Sequence, residues 1–277
     1  MRYNKTMAIS DLELFGRKTF FIAATEDLIP QDYLAGFIEQ GFETYLIGAN
    51  DAETLKHKVS AIIKMFPDSI LFFNISKDII DWKQYLGTLQ ASAENDFLLG
   101  VLFEFKDELS AEHIRSDFGK ICTNAHFLAL KNDNADNFLA IQTVLSALKA
   151  RGRRNSVRAE CDENSNVDFL HKGAHYHATL LDINETNFSC HVEDIEPNFP
   201  MFEQIHGITL FVDGLTLKVS ATLIMKRLTK QQKKCIFMFI KDDGTPDLDD
   251  ENAEKLSKKI CEIVLNKNMA RINAAIF

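Results

Sequence analysis

The sequence predicts a doubly wound α/β domain with a parallel sheet, followed by a small antiparallel β-barrel and a closing helix. Three observations carry this. Over the first 150 residues short apolar runs alternate with amphipathic stretches; beyond them the apolar runs become shorter and alternate with period 2; near the end one long stretch regains helical periodicity. A chain of 277 residues is long enough for two ordinary domains, each with its own core.

The first domain, residues 1–150, opens with Lys18–Ala24, a nearly continuous apolar run of the kind that forms a strand covered on both faces. Pro30 then begins a helical pattern through Tyr33, Leu34, Phe37 and Ile38, which Gly41 stops. The cycle repeats as strand Phe42–Ile47, helix Asp51–Phe66 and strand Ser69–Ile75, then helix Trp82–Ala91 and strand Phe97–Phe105. Helix Ala111–Ile121, strand Ala125–Leu130 and a long helix Ala135–Ala150 complete it. Strands alternating with helices, joined by right-handed crossovers, give a five-stranded parallel sheet wrapped on both faces, a flavodoxin-like arrangement.

The second domain is expected over 151–277. Arg151 to Glu160 is polar and basic and reads as a linker. Strand patterns follow at Val167–Leu170, His175–Ile183, Phe188–Val192, Ile208–Val212, Leu215–Lys226 and Lys234–Ile240. Asp213-Gly214 between two apolar runs predicts a type I′ hairpin. Six short strands at hairpin spacing predict a small barrel. Residues 250–270 predict an amphipathic helix with Leu256, Ile260, Ile263 and Val264 on one face, packed on its own barrel.

Composition limits the function. The net charge of −9 argues against bulk electrostatic binding to DNA, RNA or an anionic membrane. Residues 1–150 hold 14 Lys+Arg against 21 Asp+Glu, and residues 151–277 hold 17 against 19. The five cysteines are scattered without a Cys-x-x-Cys, as expected of free thiols in a reducing cytosol. No run approaches the ~18 apolar residues of a membrane span, and Met1 to Ser10 lacks a signal peptide's apolar segment. A cytoplasmic protein is expected.

Glycine-rich phosphate loops and the local signatures of hydrolases are missing, so a binding protein is expected rather than an enzyme. His175-x-His177 puts two imidazoles on one strand face, but no acid or cysteine at ligand spacing completes a metal site. The acidic run 242–251 is interrupted by Pro246 and lacks the glutamate spacing of a calcium loop. Neither a metal nor a cofactor is expected.

In architecture the first domain resembles the receiver domain of two-component signalling. Glu26 and Asp27 fall where that family has acids after its first strand, and Lys131 where it has its lysine. Asn74, in Leu71-Phe72-Phe73-Asn74, stands at the place of the phosphorylated aspartate, and Glu104 lies near the fourth-strand position. An amide is a poor nucleophile and brings no charge to Mg²⁺. The resemblance therefore implies a degenerate receiver-like scaffold for protein contacts.

The richest pattern lies at the junction, in Arg153-Arg154-Asn155-Ser156-Val157-Arg158. Arg154 and Arg158, four apart in an extended linker, stand about 13–14 Å apart at roughly 3.3–3.6 Å per residue. That span suits a mobile clamp on a small anionic ligand. Guanidinium forks pair with phosphate oxygens and with the O6/N7 edge of guanine. Downstream, the strand His175–Ile183 runs into Asp182-Ile183-Asn184-Glu185-Thr186-Asn187.

Together these resemble the PilZ domain, a bacterial receptor module for cyclic di-GMP, over roughly Arg151 to Asp243. That family pairs an Arg-x-x-x-Arg linker with an (Asp/Asn)-x-Ser-x-x-Gly turn. Arg154 and Arg158 match the pair, Arg153 matches the arginine that often precedes it, and Asp182 matches the turn's acid. Asn184 replaces the serine and Asn187 the glycine. The resemblance implies that Asp182 accepts from guanine N–H groups and that Asn184 partly imitates the serine. At the third position, the glycine permits positive φ or close ligand approach; Asn187 tolerates positive φ but occupies space. A shifted register, Asn187-x-Ser189, restores Asn and Ser but puts Val192 at the glycine's place.

The expected function is a cyclic di-GMP effector whose ligand orders the linker and changes domain arrangement, with output in motility, adhesion or envelope behaviour. A protein partner is expected through the first domain or the C-terminal helix. The alternative is a ligand-free PilZ-like adaptor that acts through protein contacts alone.

Overall fold

The structure, a computed structural model, describes residues 16–92, 96–132, 135–153, 156–192, 200–228 and 233–274. They form two compact units. The first runs to Val157 and includes the residues from Met269 onward; the second is Arg158–Asn268.

The first unit contains β1 (Thr19–Ile22), α1 (Gln31–Glu39), β2 (Thr44–Ile47), α2 (Ala52–Met65) and β3 (Ile70–Asn74). It continues with α3 (Trp82–Ala91), β4 (Leu98–Glu104), α4 (Glu108–Ile121), β5 (His126–Leu130) and α5 (Asp136–Ala147). All neighbouring strands pair in parallel, in the order β2-β1-β3-β4-β5, which is the doubly wound topology expected. The centre is dry: every residue of β1 and of β3 is buried. Gly100 on β4 is required, because a Cβ there would lie 2.2 Å from the Phe72 ring.

Helix ends follow local chemistry. Asp51, Asp81 and Asp107 cap α2, α3 and α4 by accepting from the backbone N–H three residues on. The Asp107 cap starts α4 three residues before the apolar periodicity that predicted Ala111. At the other end, α5 stops at Ala147 instead of Ala150. Lys149 turns left-handed at φ 53, and Ala150 N–H donates to Leu145 O at 2.9 Å, closing a Schellman motif.

The second unit contains β6 (Ala159–Glu160), β7 (Asn166–His171), β8 (Ala174–Ile183), β9 (Asn187–His191), β10 (Gln204–Val212), β11 (Leu215–Leu228) and β12 (Lys233–Ile240). Six of these close into an antiparallel barrel, β8-β7-β10-β11-β12-β9, with β9 returning to β8. The short β6 adds to the end of β8. Asp213 and Gly214 both have positive φ, 44° and 81°, as a type I′ turn demands. Phe169, Leu180, Phe188, Leu210 and Phe237 are buried in the barrel, with Phe188 stacked on Phe237 at 5.0 Å.

The final helix α6 (Asp250–Ala274) is one turn longer than predicted. Leu256, Ile260 and Val264 are buried, and Asn252 Nδ2 donates to Lys218 O of β11 at 2.9 Å. The apolar face of α6 is thus covered by the chain itself. All five cysteines are free thiols. Among the described residues, no helix is long and apolar enough to cross a membrane, and no cluster of His, Cys, Asp or Glu is placed to hold a metal ion.

Candidate ligand-binding site

The expected site residues fall on different parts of the fold. Asp182 sits near the end of β8, at an irregularity between Leu180 and Asp182 in the pairing with β9. The pairing sets it opposite Ser189 of β9 on one edge and opposite Glu160 of β6 on the other. Arg158 directly precedes β6, so the β6–β8 pairing carries the linker's last arginine to this acid.

Asp182 is a hub for three donors. Its Oδ1 accepts from Arg158 Nη1 at 2.5 Å, and its Oδ2 accepts from Ser189 Oγ at 2.6 Å and Lys234 Nζ at 2.8 Å. The ion pairs are only partly open to water, with side chains 16% exposed at Asp182, 21% at Arg158 and 26% at Lys234. Screening is therefore weaker than on an open surface. Burial acts to raise the Asp182 pKa, but the Lys234 and Ser189 donors and the charges of Arg158 and Lys234 outweigh it and hold the carboxyl below its ordinary value. Asp182 is a carboxylate at neutral pH, and the hub of two cations and one anion carries a net positive charge.

One donor remains unmet. The buried Arg158 Nε has no hydrogen-bond partner among the described residues, although buried N–H groups are nearly always paired. Arg158 is anchored by one nitrogen and retains hydrogen-bonding capacity.

Asn184 turns inward. It is 4% exposed, and its Oδ1 accepts from Asn187 N at 2.7 Å and Thr186 N at 3.0 Å. This is an Asx turn that closes the β8–β9 hairpin, supported by Asn184 N–H donating to Asn187 O at 2.9 Å. The Oδ1 acceptor of Asn184 is thus taken up by the turn. Asn187 begins β9, pairs with Met238 and donates through Nδ2 to Thr186 Oγ1 at 2.6 Å. It is not among the described residues with positive φ. A glycine at this place would therefore serve close approach rather than backbone conformation.

Ser189, considered above for a shifted register, is fully buried and holds Asp182 from across the strand pair. Arg153 is exposed and belongs to the first unit. Arg154 lies outside the described residues. Sequence reasoning missed Lys234, whose place at the hub depends on β12 pairing beside β9, opposite His191.

The receiver-like positions of the first unit are occupied differently. Asn74 is 2% exposed; its Nδ2 donates to Ala23 O at 3.1 Å and its Oδ1 accepts from Ser76 N at 3.2 Å, joining the ends of β1 and β3. Glu26 accepts from Gln31 Nε2 at 2.7 Å, and Asp27 is exposed. Lys131 places its ammonium 5.3 Å from the Phe105 ring centroid.

No protein-family model matches the chain, and no curated protein sequence matches it. Among solved structures, the chain is similar to MrkH of K. pneumonia in complex with c-di-GMP, at 12% identity and a TM-score of 0.38, covering 44% of this chain and 57% of that one. It is similar to YcgR of Escherichia coli in complex with c-di-GMP, at 13% identity and a TM-score of 0.35, covering 45% and 50%. The PilZ domain of YcgR with c-di-GMP gives 15% identity and a TM-score of 0.34, covering 44% of this chain and 97% of that one. The chain spans about half the length of the first two proteins.

Proposed function

We propose that this chain is a cyclic di-GMP receptor of PilZ type, with a ligand site built on Arg158 and Asp182 and completed by Arg154 and Arg153. The supporting observation is the Arg158–Asp182 contact, which joins the last residue of the arginine pair to the acid of the turn at 2.5 Å. Without ligand, Arg158 neutralises Asp182. With ligand, the guanidinium fork moves to a phosphate or guanine edge, and Oδ1 of Asp182 becomes the acceptor for guanine N–H groups. Oδ2 remains held by Ser189 and Lys234. The net positive hub favours an anionic ligand, and the unmet Arg158 Nε supplies a further donor.

Binding by the linker arginines would engage the segment between the Arg151 bridge and β6 and bias the arrangement of the two units, so that the ligand controls a protein partner. The chain acts in this reading as a binding module with output in motility, adhesion or envelope control. The test is isothermal titration with cyclic di-GMP, with GTP and cyclic di-AMP as controls. Saturable, guanine-selective binding that Arg158→Ala removes is expected; binding by Arg158→Ala as tight as by the unaltered protein would refute the site.

A second reading, a ligand-free adaptor, draws on the inward Asn184 and on the side chain of Asn187 at the glycine's place. It predicts no titration by the natural chain and a gain of binding in Asn184→Ser/Asn187→Gly.

A further inference from the structure

The first unit contains a cavity of about 640 Å³ that shares only Arg153 with the cyclic di-GMP reading. It lies where the chain entering β1 meets the chain leaving α5. Gly16 and Arg151 form an antiparallel bridge, and Arg17 N–H donates to Ala150 O at 2.8 Å. Only glycine permits this approach: Gly16 has φ 79, and a Cβ there would lie 2.2 Å from Ala150 O. The bridge gathers Arg17, Lys149, Arg151 and Arg153 around one opening, with Leu98 and Leu148 also in the lining.

Among the described residues no acid lines this cavity, in a chain with 40 Asp+Glu against 31 Lys+Arg. None of the four cations has an ion-pair partner among the described residues. Two are held in place through neutral groups. Arg17 Nη1 donates to Asp68 O at 2.6 Å, while Arg151 Nη1 donates to Gln40 O at 3.3 Å and its guanidinium lies 5.9 Å from the Phe42 ring centroid. Cations near the C-terminus of α5 complement its dipole, which accounts for Lys149 and partly for Arg151. It does not account for Arg17, which enters from the other side of the bridge, or for Arg153 beyond it. Four like charges around one hollow repel each other, and a bound anion relieves that repulsion.

We propose that this cavity binds a phosphorylated ligand of nucleotide size, with a nucleoside diphosphate as the chemical class. Its volume falls within the ~300–1,000 Å³ of small-molecule sites. Guanidinium forks match phosphate oxygens, and the partly exposed Leu98 and Leu148 add apolar atoms to the lining beside them. The proposal stands on residues of the first unit and is independent of Asp182 and Arg158.

The experiment is isothermal titration of the full chain at low salt with ADP, pyrophosphate and adenosine, repeated with Lys149→Gly/Arg151→Gln. Lys149 has positive φ, so glycine there removes a charge while relieving a backbone conformation that disfavours side chains. The unfolding temperature reports that the double variant is folded. Saturable ADP binding is expected, at least about tenfold tighter than pyrophosphate, with none for adenosine and at least about a tenfold loss in the variant. No saturable binding of ADP by the unaltered chain would overturn the proposal, as would equal affinity in the variant. Pyrophosphate binding as tightly as ADP would overturn the nucleotide assignment. Arg158→Ala, which leaves the cavity lining intact, must also keep ADP binding; its loss would place both ligands in one site and remove the second.

Discussion

Lys234 Nζ donates to Asp182 Oδ2 at 2.8 Å, on the oxygen that Ser189 also holds and opposite the one that meets Arg158. This division lets one edge of the carboxylate be released to a ligand while the other stays fixed. Lys234→Met removes a cation from a partly exposed pair and should cost about 1 kcal/mol at neutral pH. The Asp182 pKa is depressed by folding, so its ionic stabilisation is present above the ordinary carboxylate range and disappears as pH falls through the depressed value. Urea unfolding from pH 7 into acid should therefore show the gap between Lys234→Met and the unaltered protein narrowing as pH falls. A gap that persists unchanged would mean that Lys234 acts through packing.

Asn184→Ala should destabilise the barrel by about 1–2 kcal/mol, because it removes the acceptor for the Thr186 and Asn187 N–H groups. Thermal unfolding measures it; Asn184→Ser should lose less, since a hydroxyl can still accept. Asn187→Gly should cost about 0.5–1 kcal/mol through chain entropy, because Asn187 has no positive φ for glycine to relieve. Under the receptor reading the same change should tighten cyclic di-GMP by opening the surface beside Asp182. Lower stability with tighter binding would separate the two effects.

Much of this fold was legible because burial imposes periodicity. The continuous apolar run of β3 and the Asp213-Gly214 turn state their structures locally, through full burial and through paired positive φ. The family resemblance implied that Arg158 and Asp182 share a ligand, but not that they touch; the contact arises because β6, which follows Arg158, pairs with the end of β8. Lys234 was not legible, because it reaches Asp182 across 52 residues through closure of β12 onto β9. The inward turn of Asn184 was hidden for another reason: an amide that caps a hairpin and one that faces a ligand look alike in sequence. The cationic cavity was equally silent, since only the Gly16–Arg151 bridge brings Arg17 beside Arg151.

Gly100→Ala should be among the most damaging small substitutions in the first unit. Its Cβ would lie 2.2 Å from the Phe72 ring, which is fully buried between strands and helices and has little room to shift. Overpacking of this kind costs about 1–3 kcal/mol. Denaturant unfolding should show a lower midpoint with Gly100→Ala. Adding Phe72→Leu should recover part of the loss, and a double variant no better than the sum of its singles would show that the ring is not the obstacle.

Asn74→Asp recreates the side chain that a phosphorylated receiver uses, yet it should neither activate the first unit nor be tolerated at neutral pH. The amide donates to Ala23 O and accepts from Ser76 N; a carboxylate keeps the second contact but faces the Ala23 carbonyl with no proton. The residue is 2% exposed, so the unmet acceptor and the buried charge should cost about 2–4 kcal/mol. Burial raises the folded-state pKa of such an acid, so the penalty is largest at high pH and shrinks as the group protonates and its O–H again donates to Ala23 O. Urea unfolding from pH 8 to pH 4 should show the variant approaching the unaltered protein in acid. Incubation of Asn74→Asp with acetyl phosphate and Mg²⁺ should leave its mass unchanged, because Glu26 is held by Gln31 and Asp27 is exposed. A gain of one phosphoryl group would mean that only Asn74 separates this unit from a working receiver.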